Sequence, residues 1–173
     1  FTLVTEKKWS GLPHIAGFDC IRRSPNEIEI AIVCTDGKPY RPETFPGDSQ
    51  SYYDGAGIYR GNLAQGRVFR MTVDNSWNEK GTPQQVYSGD IGINFCRIAC
   101  VRNREIDGYV VANSLGAMKY IPRDGSVVEY VRNSEGNVRT HKAMGTYIVA
   151  LPDSAGDMTD LLVGGESAVY TYD

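Results

Sequence analysis

Tyr40, Tyr52, Tyr53 and Tyr59 lie among Arg41, Asp48, Asp54 and Arg60 in a stretch, residues 40–61, that has no apolar period. Flat aromatic faces beside charged hydrogen-bonding groups suit a sugar. A pyranose offers an apolar face for stacking and hydroxyls for carboxylates, amides and guanidinium groups to fix. The same composition suits a protein surface, since Tyr and Arg are enriched at interface hot spots. It also suits a loop folded back over a sheet, with its tyrosines covering the core and its polar ends in water. Unpatterned connections longer than about a dozen residues are uncommon in compact domains unless they are functional or disordered, and the aromatic content argues against disorder.

A second polar connection, residues 73–81, carries Trp77 between Ser76 and Asn78. Trp77 is either a second stacking platform or an anchor that buries one ring face. The residues expected to touch a ligand are therefore Tyr40, Tyr52, Tyr53, Asp54, Tyr59, Arg60, Trp77 and Asn78. In this reading Tyr52, Tyr53 and Tyr59 stack, while Asp54, Arg60 and Asn78 fix orientation.

Other chemistry finds weaker footing. His14 and His141 are the only histidines, and two histidines can run general acid–base hydrolysis of the nuclease type if the fold joins them. Gly55, Gly57 and Gly61 evoke a phosphate cradle, but a dinucleotide fingerprint needs a strand before it and a helix after it, and neither flank reads that way. Asp74, Ser76 and Asn78 begin like a calcium loop, yet Glu79 stands where such loops require glycine. Asp153, Asp157 and Asp160 match no defined metal loop, and there is no Cys-x-x-Cys pair. No metal and no cofactor is expected.

Composition narrows the partners further. The net charge is −3, and residues 143–173 contain no Lys or Arg. Arg22, Arg23, Arg97, Arg102 and Arg104 are interleaved with acids rather than gathered into the stripe of a nucleic-acid binder, so no nucleic-acid partner is expected. No apolar run approaches the roughly 18 residues of a membrane span. The chain opens on Phe1 rather than Met, as expected of a processed or truncated start, and a secreted or extracellular setting is the expectation.

These residues must be held by strands. Segments rich in β-branched and aromatic residues recur at 1–5, 15–22, 28–34, 67–73, 85–88, 109–112, 118–121, 127–131, 147–151 and 168–172, separated by glycine-bearing turns. Ile28, Ile30 and Ile32 alternate with Glu27 and Glu29, which reads as a strand with one buried and one solvated face. Residues 147–151 are continuously apolar and read as a central strand buried on both faces. The stretch 91–103 fits a helix or a strand, and a short helix is possible at 159–163. A tight turn at 24–27 places Ile21 opposite Ile30 and Cys20 opposite Ala31, with Cys20 and Cys34 on different faces. Among Cys20, Cys34, Cys96 and Cys100, reduced thiols packed as small hydrophobes are as good a reading as any disulfide.

The expected fold is all-β: one domain over residues 1–173, an antiparallel β-sandwich, jelly-roll-like or a partly closed barrel, with at most one or two short helices. The expected function is non-catalytic recognition of carbohydrate through residues 40–61, with a protein surface as the other partner. The alternatives are a small hydrolase using His14 and His141, or a structural subunit of an assembly.

Overall fold

The computed structural model describes residues 12, 14–35, 64–92, 97–112, 118–132, 147–152, 156–164 and 169–172. Among these there is no helix, and every sheet pairing is antiparallel. Strands β1 (His14–Ser24), β2 (Glu27–Thr35), β3 (Ala64–Val73) and β4 (Gln84–Gly92) form one sheet in chain order. A second sheet runs through β5 (Arg97–Arg102), β6 (Asp107–Ala112), β7 (Met118–Pro122) and the short β8 (Glu129–Tyr130). Strand β9 (Tyr147–Pro152) pairs with β10 (Met158–Gly164), which also pairs with β11 (Val169–Tyr172). Strand β10 reaches β5 through one register pair, Met158 with Arg102.

The two sheets share a buried cluster of apolar side chains. Ile21, Ala31, Val33 and Val68 from the first meet Ile98, Cys100, Tyr109, Val111 and Ile121 from the second in one buried cluster. Each such aliphatic side chain contributes roughly 1.5–3 kcal/mol through the apolar surface it removes from water. On the far side of the second sheet, Ile148 and Ala150 of β9 and Leu161 and Val163 of β10 pack on Val101, Val110 and Met118. The β9–β10 pair is thus a further layer laid over β5–β7. The outer face of the first sheet holds Ile28, Ile30, Ile32 and Cys34 against Phe69, Met71 and Val73, with Leu12 packed on them.

Most expected strands are present, and four readings change. Residues 147–151 alternate: Ile148 and Ala150 are buried while Tyr147, Val149 and Leu151 are exposed, because β9 belongs to the outermost layer and has one covered face. Residues 159–163 lie in β10, not a helix, and within 91–103 Arg97–Arg102 is strand β5 with four consecutive buried residues. Strand β2 is covered on both faces, so Glu29 is buried rather than solvated. The hairpin register is also shifted. Arg23 is bulged out of the ladder between Arg22 and Ser24, which places Ile21 opposite Glu29 and Cys20 opposite Ile30. Cys20 therefore shares a face with Cys34, yet Cys20, Cys34 and Cys100 all carry free thiols. Burial pushes the Cys34 thiol up to about 11 and raises that of Cys100 as well, so both stay protonated at neutral pH.

Candidate functional site

The bulge at Arg23 organises one end of the molecule, because it sends adjacent arginines to different tasks. Arg23 turns inward to Glu29, a carboxylate with no water to solvate it. A lone buried charge would cost many kcal/mol, so it persists only with its lone pairs filled. Arg23 donates to Glu29 Oε1 from Nε at 3.1 Å and from Nη2 at 2.6 Å, and the Tyr109 hydroxyl donates to the same oxygen at 2.9 Å. Arg123 donates from Nε to Oε2 at 2.7 Å. The Nη1 group of Arg23 continues to Asp107 Oδ1, and the backbone carbonyl of Asp107 accepts from the Arg123 amide at 2.9 Å. Burial would raise the Glu29 carboxyl. Hydrogen bonds from Arg23 and Arg123 outweigh it, with the Arg23 charge and the Tyr109 hydroxyl adding to them, and hold it below the usual carboxylate range. Burial, then the Glu29 charge, raises the Tyr109 hydroxyl, which thus remains a donor.

This clasp joins β1 and β2 to β6 and to the turn after β7. A second stitch lies nearby, where Asp19 Oδ2 on β1 accepts the Cys100 amide of β5 at 2.8 Å and Arg97 Nη1 donates to the Ala16 carbonyl at 3.1 Å. Both bonds tie β1 to β5.

Arg22 turns outward instead. Its Nη1 donates to the Pro25 carbonyl at 3.2 Å and to Asn75 Oδ1 at 2.8 Å, and Asn75 Nδ2 donates to the same carbonyl at 2.9 Å. The β1–β2 turn is thereby tied to the connection between β3 and β4, where Trp77 sits. Asp74 builds that connection: Oδ1 accepts the amides of Ser76 and Asn78 at 2.8 Å each, and Oδ2 accepts the Asn78 side-chain amide at 3.0 Å. Those bonds, with the Asn78 ones foremost, hold the Asp74 carboxyl below its ordinary range. The backbone closes through Trp77 N to the Asp74 carbonyl at 3.0 Å and Asp74 N to the Asn78 carbonyl at 2.9 Å. This is a three-residue hairpin loop, whose last position adopts the left-handed region and is normally glycine. Here it is Trp77, at φ 64°, with 41% of its surface exposed.

Arg22, which reaches this turn through Asn75, also lines a cleft of about 530 Å³. Its walls are Cys20 and Arg22 of β1, then Arg102, Asn103 and Arg104 at the β5–β6 turn, and Asp157 and Met158 at the start of β10. Asn103 shapes the second wall by accepting the amides of Glu105 and Ile106 on Oδ1 at 2.7 Å each, which fixes the tight turn that carries Arg104. Burial and the neighbouring Asp19 charge raise the Cys20 thiol, so it enters the cleft as a neutral group.

Of the residues expected to contact a ligand, Trp77 and Asn78 are placed on this turn, Trp77 outward and Asn78 bound to Asp74. Tyr40, Tyr52, Tyr53, Asp54, Tyr59 and Arg60 lie outside the described residues, as do His141, Cys96 and Asp153. His14 opens β1 opposite Thr35. The arginine cleft was not anticipated, since Arg22 and Arg102 are 80 positions apart and only the β1–β5 packing joins them. Among the described residues no group of three or more His, Cys, Asp and Glu is placed to hold a metal ion, and no helix is long and apolar enough to cross a membrane. Compared with protein-family models, curated proteins and solved structures, the chain matches none.

Proposed function

We propose that this chain is a non-catalytic recognition module that binds carbohydrate, with Trp77 as a stacking platform and the tyrosines of residues 40–61 as further contacts. The observation that carries the reading is the conformation of Trp77. A bulky residue in the left-handed region costs about 1 kcal/mol or more that glycine would avoid. A fold that only needed the turn would place glycine there. Trp77 instead keeps 41% of its surface exposed on a turn that the Asp74 hydrogen bonds fix. A rigid, exposed indole on a pre-organised loop loses little entropy on binding a sugar ring.

The test exploits that strain. Trp77→Gly removes the indole and relaxes the backbone, so the thermal midpoint should stay within roughly 4 °C of the parent, since about 1 kcal/mol shifts a domain of this size by 2–4 °C. Binding on an array of neutral and acidic oligosaccharides should fall at least tenfold. An array profile unchanged by the substitution, or no binding by the parent chain, would remove the reading.

A second reading, a subunit of an assembly, draws on β9. Tyr147, Val149 and Leu151 form an exposed apolar row on a strand whose described pairing is with β10 alone. An assembly subunit should show a mass above 19.1 kDa by light scattering at tens of micromolar. A monomer at every concentration would exclude it.

A further inference from the structure

We infer that the cleft lined by Arg22 binds an oxyanion, and that the saccharide recognised is therefore an acidic one, carrying carboxylate or sulfate groups. The inference rests on the carbohydrate reading above and adds to it the charge of the ligand. Arg22, Arg102 and Arg104 line the cleft together with a single acidic residue, Asp157. None of the three arginines is paired with a described carboxylate. Arg22 spends hydrogen bonds on the neutral oxygens of Pro25 and Asn75, which orient it and leave its charge uncompensated. The residue opposite Arg102 in the β5–β6 ladder is Asp107, but its carboxylate is taken by Arg23.

Planar guanidinium forks match the two oxygens of a carboxylate or sulfate, and charge-assisted hydrogen bonds of this kind are roughly twice as strong as neutral ones. The neighbouring polar groups fit the rest of a sugar. Asp157 supplies an acceptor for hydroxyls, and Trp77 stands on the turn that Arg22 grips through Asn75.

The experiment uses the full chain and three oligosaccharides of one backbone: neutral, uronic-acid-bearing and sulfated. Calorimetry at 50 and 300 mM salt should show an acidic form binding at least tenfold more tightly than the neutral one, with the advantage shrinking at high salt. The acidic form that gains more identifies the group. Arg102→Gln with Arg104→Gln should erase the gain while leaving neutral binding and the thermal midpoint unchanged, because both side chains are exposed. A tenfold loss is the scale of one charge-assisted hydrogen bond. Equal affinity for all three sugars, or a preference that survives the double substitution, would overturn the inference while leaving the carbohydrate reading standing. No sugar binding by the parent chain would take both, and tighter capture of a single-stranded oligonucleotide of equal charge would overturn the inference in favour of a nucleic acid.

Discussion

Glu29→Gln should lower folding stability by about 3–5 kcal/mol and the thermal midpoint by on the order of 10 °C. The substitution keeps the shape and removes the charge, leaving Arg23 and Arg123 to face a neutral amide in a site closed to water. One amide oxygen cannot accept from both arginines and Tyr109, and the amide nitrogen would point a donor at a donor. Chemical denaturation of the two proteins measures the loss. A difference under 1 kcal/mol would mean that the clasp does not bind the sheets together.

The same clasp sets a pH dependence with a definite sign. The folded-state carboxyl of Glu29 lies below the unfolded value of about 4.3. Its contribution is therefore complete above that pH and is lost as pH falls through the folded value. Asp74 and Asp124, also held below their ordinary range, act in the same direction from the surface. The Glu29→Gln protein should consequently lose less stability than the parent between pH 5 and acid.

Gly108→Ala is the other substitution with a large expected cost, about 2–3 kcal/mol, the upper part of the range for forcing atoms into a packed interior. Gly108 faces Pro122 across the β6–β7 ladder. A Cβ there would press on the Ile121 carbonyl oxygen and lie 2.9 Å from the Tyr120 ring and 3.0 Å from Pro122 Cα. Two of those three neighbours are backbone and cannot swing aside. The strands would have to part, and Arg123, one residue beyond β7, would withdraw from Glu29. Denaturant melts measure the cost, and a change below about 0.5 kcal/mol would show that the β6–β7 pair has more room than its spacing suggests.

What the sequence disclosed follows from the range of each interaction. Local signals were legible: β-branched runs and glycine turns marked most strands, and Asp74 with Asn78 marked the polar connection around Trp77. Features that depend on a partner distant in sequence were not. Glu29 alternates with isoleucines like any solvated residue; Arg23 is close in sequence, but Tyr109 and Arg123, 80 and 94 positions away, complete the set of donors around the buried ion. Residues 147–151 are apolar throughout, yet their alternating burial reflects which layer they occupy, which composition does not encode. Arg102 and Arg104 looked like scattered surface charge until β1 and β5 came together. A one-residue bulge at Arg23 shifted the expected register, because nothing local distinguishes a bulged arginine from a paired one.

Among the described residues, the layer formed by β9, β10 and β11 meets β5 through one register pair, Met158 with Arg102, through the Arg97 guanidinium 5.7 Å from the Tyr147 ring, and through apolar contact. Such a unit can lift away from the sheet while the rest stays folded, giving it an opening free energy of its own. Met158 and Asp157 also wall the arginine cleft, so the same lift would dismantle the cleft. A ligand seated there would latch the layer, and the strength of surface binding would be felt as slower local opening on the opposite side of β5.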